Sequence, residues 1–195
     1  MVVVKEKIRT RIVKDARKIF IRNGFKTTTM DQIAHATGMG KSSLYYYFPG
    51  KEEIFRAVVE FEAEELKIML GKTLDKADSP TEKLQSYMYF RLHHVRTLGN
   101  FYAALKEEQL SGMKFIMDIR TRFDREELDV VRGILEEGME KGIFQLRSSE
   151  IGAIAISTMM KGLEQPLLLS EAHKSDRANL LEDLIRVLFY GVLKR

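Results

Sequence analysis

Cysteine is absent from all 195 residues, so this chain can form neither a disulfide framework nor a thiolate metal site, and its redox compartment is left open. No run of 18 apolar residues occurs, which argues against a membrane-spanning helix. The start MVVVKEKIRTR sets an apolar stub before its charges, the reverse of a secretory signal, so a cytoplasmic protein is expected. Internal repeats, low-complexity tracts and the period-two alternation of strands are missing as well. The four histidines do not fall at metal-ligand spacing: His93 and His94 are neighbours that diverge on a helix, and no H-x-x-x-H pair is present. Pairs such as Glu107 and Glu108 read as solvated helix residues rather than as a general acid and base. No metal, cofactor or enzymatic activity is therefore expected.

What is present is helical periodicity. With 45% apolar residues the chain can bury a core, and the strong apolar patterns recur at the spacing of α-helices. A first helix spans about Lys5 to Asn23, with Ile8, Ile12, Ala16, Ile19 and Phe20 on its stripe and Gly24 as its stop. Two short helices follow, then Pro49 and Gly50, then a long helix from Lys51 to about Leu70. After an interhelical turn over Gly71 to Pro80, further helices are expected over Thr81 to Thr97, Phe101 to Gln109 and Lys114 to Lys141. One more should run from a Ser148 or Ser149 cap toward Leu169, and a last one from Ser175 or Asp176 to about Lys194. Pro166 implies a kink or an early end in the penultimate helix. The expected architecture is all-α with about nine helices: a headpiece over residues 1–50, a connecting helix over 51–70, and a distal domain over 71–195.

Charge is distributed unevenly. Residues 1–50 carry ten Lys and Arg against three Asp and Glu, a balance of +7, whereas the rest of the chain balances at -3. That basic half contains TTTMDQIAHATGMGKSSLYYYFPGKEEIF, from Thr27 to Phe55. Thr29 can cap a helix starting at Met30, with Gln32 completing a capping box, and Gly38 can end it. A second short helix over Lys41 to Phe48 turns Leu44 and Phe48 inward and leaves Lys41, Ser42, Tyr45 and Tyr46 outward. This is a helix-turn-helix pattern whose second helix would enter a DNA major groove. The competing reading of GMGKS as the tail of a phosphate-binding loop fails, because that loop needs glycine where His35 stands and a preceding strand where the sequence reads as helix.

These residues, with the GFKTTT exit of the first helix, closely resemble the TetR family of bacterial transcriptional regulators over residues 5–60. The resemblance implies a homodimer that binds palindromic operator DNA and represses transcription until a small molecule enters the C-terminal domain. An effector-free architectural DNA-binding dimer, and a ligand-dependent activator or corepressor, remain as alternatives. Lys41 could reach guanine or a flanking phosphate, and Ser42 and Ser43 are short donors that permit close approach. By the family pattern Tyr45 and Tyr47 face the DNA backbone and Tyr46 reaches bases, while Lys51 matches a phosphate-contacting lysine. Thr28 and Thr29 precede a helix N-terminus that can hold a phosphate, Thr29 capping first. Lys5, Lys7 and Arg9 form a basic arm. Two departures mark the turn: Gly40 stands where the family often has Ser or Thr, and Ser42 where Gly is common.

Large apolar residues in the distal domain exceed what a headpiece needs. Tyr87, Phe90, Phe101, Tyr102, Leu105, Met113, Phe115, Met117 and Met159 are candidates to line a pocket for a small lipophilic effector, acyl-like or aromatic. For self-association, Gly152, Ala153 and Ile156 offer a small-residue face, and Leu181, Leu184, Leu188 and Val192 an apolar stripe. This agrees with the family's intermolecular four-helix bundle. No membrane partner is expected.

Overall fold

The apolar stripe near the N-terminus becomes helix α1 (Val2–Thr27) in the computed structural model, which describes residues 2–94, 100, 114–169, 183, 186, 187 and 189. Ile12, Val13, Ala16 and Phe20 are buried along it. At Gly24 the backbone leaves helical geometry, with φ 76° and ψ 166°, a conformation that glycine alone adopts without strain. The expected stop is thus a sharp break, beyond which a short helical stretch continues to Thr27.

Six more helices follow: α2 (Met30–Thr37), α3 (Lys41–Tyr47), α4 (Lys51–Leu74), α5 (Pro80–His94), α6 (Lys114–Glu140) and α7 (Ser149–Leu169). Among the described residues there is no strand, so the chain is all-α. The expected short helix over Phe101 to Gln109 and the last helix toward Lys194 lie outside the described residues. α7 continues through Pro166 to Leu169, so the proline does not end it.

Two units divide the chain. One comprises Met1–Leu66 with Leu98–Ile119. Its core joins the buried faces of α1, α2, α3 and α4: Phe20, Ile33, Leu44, Phe48, Ile54, Phe55 and Val58. Phe55 anchors an aromatic cluster, 5.0 Å from Phe20 edge-on and 4.8 Å from Phe25 between ring centres. Each such pair adds about 0.5–1.5 kcal/mol beyond area burial. Glu62 is fully buried and accepts from Arg17 Nε at 2.9 Å and from the Asn100 amide at 2.9 Å. Asn100 also donates to the Arg17 carbonyl at 3.1 Å, so a residue far along the chain is bonded to α1 and α4 together.

The other unit comprises Lys67–Thr97 with Arg120–Arg195. α5 starts where Ser79 Oγ accepts from Glu82 N at 3.2 Å, with Pro80 in the first helical position where its missing N–H costs nothing. Leu84, Tyr87, Met88 and Leu92 of α5 share a core with Val131, Ile134 and Leu135 of α6 and with Ala153, Ile156 and Met160 of α7. α6 ends at Gly142 (φ 65°), with Ile143 N bonded to Gly138 O at 2.8 Å and Gly142 N to Met139 O at 3.0 Å. This Schellman turn folds Phe144 back onto Gly138, where an added Cβ would lie 2.1 Å from the ring. Ser148 Oγ then accepts from Ile151 N at 3.3 Å to cap α7.

Candidate nucleic-acid interface

Short helices need their ends satisfied, and α2 has both ends closed. Thr29 accepts from Gln32 N at 3.3 Å while Gln32 Oε1 accepts from Thr29 N at 3.0 Å, the reciprocal capping box. At the other end Gly38 is left-handed (φ 65°), with Met39 N bonded to Ala34 O at 2.9 Å and Gly38 N to His35 O at 3.2 Å. Two residues later Gly40 starts α3 in extended geometry with no side-chain cap. Residues 38–40 are therefore the turn of a helix-turn-helix, between α2 and α3.

α3 buries Leu44, and Phe48 just beyond it, while Lys41, Ser42, Ser43, Tyr45 and Tyr46 are exposed. Two-thirds of the Tyr46 surface is open, at 67%. A cation flanks this face: Lys5 Nζ lies 4.9 Å from the Tyr46 ring centre. Tyr46 and the half-buried Tyr47 pack edge to face at 5.1 Å. Lys7 is exposed on α1. Lys41 Nζ pairs with Asp31 Oδ1 at 2.9 Å, and that hydrogen bond and charge hold the ammonium above the ordinary lysine pKa. Both partners are exposed, so solvent screens the pair and it is held weakly.

Several of the expected DNA-contacting side chains are engaged within the headpiece. Arg9 donates to the Tyr47 carbonyl and stands 4.2 Å from the centre of the Phe48 ring, tying α1 to the end of α3. Lys51 donates to the carbonyls of Phe25 at 2.8 Å and Lys26 at 3.1 Å and covers the Phe25 ring at 4.5 Å. Thr28 is buried and its hydroxyl donates to Gly24 O at 2.7 Å, closing the break in α1. Asp31 was not singled out from the sequence, where it reads only as an acid in the first turn of α2. Its partnership with a lysine ten residues on depends on the angle between two helices, which no local pattern encodes.

A family model for bacterial regulatory proteins of the tetR family matches residues 12–58, the segment just described. The HTH-type transcriptional repressor NicS of Pseudomonas putida is 30% identical over 147 residues, covering 72% of this chain and 67% of that protein. The chain belongs to the TetR family. A TetR-family transcriptional regulator carries a DNA-binding helix-turn-helix, which here is α2 and α3. An uncharacterized HTH-type regulator of Bacillus subtilis, YfiR, is 27% identical over 183 residues, covering 91% of this chain and 88% of that one. The fold has a solved counterpart: a transcriptional regulator from Saccharomonospora viridis, solved in complex with choline, superposes with a TM-score of 0.79. That match covers 97% of this chain and 100% of the other at 17% identity.

The residues expected to line an effector pocket are not all inward. Tyr87, Phe90 and Phe115 are buried, but Met117 is 48% exposed and Met159 37%. Phe101, Tyr102, Leu105 and Met113 lie outside the described residues. Phe90 stacks on His94 at 4.1 Å, whose Nδ1 sits 3.1 Å from the Phe90 carbonyl, so this histidine is locally engaged. Among the described residues no cluster of His, Asp and Glu is arranged to hold a metal ion, and no helix is long and apolar enough to cross a membrane.

The face expected for self-association needs revision. Ala153 and Ile156 are buried in their own unit's core. A Cβ on Gly152 would meet Leu135 and Leu146 of the same chain at 2.9 and 3.0 Å. The close approach that small residues permit is therefore used internally. On the opposite side of α7, Ile151 (69%), Ile154 (48%), Ala155, Thr158, Met159 and Gly162 are exposed. Leu181, Leu184, Leu188 and Val192 lie outside the described residues.

Proposed function

We propose that this TetR-family regulator is a homodimeric repressor that leaves a palindromic operator when a small, largely apolar effector binds its distal domain. The observation that carries the reading is α3, a helix held by Leu44 and Phe48 that exposes Lys41, Ser42, Ser43, Tyr45 and Tyr46 together beside a basic α1. Such a helix presents donors, a cation and aromatic edges to a major groove without unpacking its own core. Within this reading Lys41, Ser42 and Ser43 meet bases or phosphates, and Tyr45 and Tyr46 meet the backbone and thymine methyls. Arg9, Thr28 and Lys51 act through the headpiece, holding α1, α3 and α4 in register, while Thr29 leaves the α2 N-terminus pointed at a phosphate. Lys5 and Lys7 supply further phosphate contacts. NicS being a repressor supports the sign of regulation, and a regulator of like fold solved with choline supports a small-molecule ligand.

The dimer face in this proposal is the outer side of α7, from Ile151 to Gly162, which exposes apolar residues at helical spacing. Residues 1–50 serve as the headpiece, 51–70 as the connecting helix and 71–195 as the effector and dimerisation domain. α4 is a single helix from Lys51 to Leu74, so an effector that binds two dimer states unequally can change the separation of the α3 helices through it. Occupying a cavity equally in both states would release nothing. The test is to map bound chromosomal sites, then titrate the purified protein on one of them with apolar and charged small molecules. Release by apolar ligands supports the reading; tight binding to DNA that no ligand alters, or release by charged metabolites alone, contradicts it.

A further inference from the structure

Three helices of the second unit bring a charged and polar cluster into an otherwise apolar core. Tyr87 and Arg91 stand one turn apart on α5, Glu127 on α6 and Ser157 on α7, each at most 6% exposed. The Tyr87 hydroxyl donates to Glu127 Oε1 at 2.9 Å, and Arg91 Nε lies 2.5 Å from the same oxygen. Ser157 Oγ is buried without a hydrogen-bond partner. The second oxygen, Glu127 Oε2, is buried and has no hydrogen-bond partner. Burying an ion pair is costly, and well-packed apolar residues of similar volume are often equally stable or better, so packing alone gives no reason for this group. An orphaned carboxylate oxygen in such a place asks for a donor.

Resting on the effector-binding reading above, we propose that this cluster recognises the effector and that Glu127 Oε2 selects a neutral ligand bearing a hydroxyl, phenol or amide N–H on an apolar body. A carboxylate ligand would face Glu127 with like charge. An ammonium would face Arg91, and an acceptor-only molecule would leave the oxygen orphaned. The aromatic ring of Phe123, 5.9 Å from the Arg91 guanidinium, supplies apolar surface beside the charged groups. The unfilled bonding capacity thus narrows the effector from lipophilic molecules in general to lipophilic donors.

The test uses the full chain and a series of 4-alkylphenols, butyl to octyl, each paired with its methyl ether, which keeps the size and loses the donor. Calorimetric titration should show the best phenol binding at least about tenfold more tightly than its ether, the scale of one hydrogen bond to a charged acceptor. In the double variant Arg91→Met with Glu127→Met, which removes both charges and can remain packed, the ratio should fall to about one. Tyr87→Phe, which frees Glu127 Oε1 without removing the carboxylate, should keep the preference. Equal affinity for phenol and ether, a preference that survives in the double variant, or no binding across the series would each overturn the proposal, leaving the oxygen to a buried water. Operator binding by the same preparations is scored separately. Its retention with no phenol preference sinks only the ligand assignment, whereas its loss in the unaltered chain strikes the regulator reading itself.

Discussion

Lys41 can approach DNA only by exchanging Asp31 for a phosphate or a guanine, and the exposed pair is weak enough for that exchange. If Lys41 makes a base contact, Lys41→Ala should cost about 1–3 kcal/mol and relax discrimination among operator variants. A pure phosphate contact would instead weaken all sequences alike and lower the salt slope by about one. Filter binding over several salt concentrations separates the two. At Tyr87, burial first, then the neighbouring Glu127 carboxylate, push the phenol pKa far above its ordinary value. A raised pKa in the folded state contributes stability that is complete below the unfolded value, about 10 for a tyrosine, and is lost as the pH climbs toward the folded one. The phenolate absorbance difference between the parent chain and Tyr87→Phe should therefore stay flat through pH 10 and appear only on alkaline unfolding. A tyrosine titrating reversibly near pH 10 in that difference would contradict the cluster. The outward set on α3 was legible from helical spacing and from the motif. The carbonyl partners of Lys51 and the acid beside Lys41 were not, because they depend on where separate helices meet.

At the scale of elements, caps and turns were the most readable features. The Thr29 and Gln32 box, the Gly38 stop and the Ser148 cap all follow from local chemistry that needs no distant partner. Gly40 caps α3 with backbone alone, and a Cβ placed there has 4.0 Å of clearance to Ser43 Oγ, so Gly40→Ser should fit and stabilise by a few tenths of a kcal/mol in urea unfolding. Gly138 is the opposite case. Its missing Cβ makes room for Phe144, and Gly138→Ala should destabilise by about 1–3 kcal/mol or displace the ring from the core, measured by the same unfolding experiment. Sequence could not orient α7, because apolar residues occur on two of its sides. Gly152, Ala153 and Ile156 read as well for an interface as Ile151, Ile154 and Met159, and only the packing of Leu135 and Leu146 decides which side turns inward.

For the molecule as a whole, helical class and the basic N-terminal quarter were visible in composition and period. Effector chemistry was not, since a pocket is built from residues distant in sequence whose individual apolar character is that of any core. The outer face of α7 makes a molecular prediction: Ile154→Glu, at an exposed position, should leave the monomer folded but shift sedimentation from dimer to monomer and weaken operator binding. An unchanged dimer would move the interface elsewhere. Whether two copies of α3 read DNA as a symmetric pair is decided by footprinting the purified protein on a bound chromosomal fragment. The expected footprint is a protected, two-fold symmetric site whose half-sites lie about 34–36 Å apart, or a related whole-turn spacing, and which Lys41→Ala weakens. Protection without symmetry, indifferent to sequence and to Lys41, would contradict it.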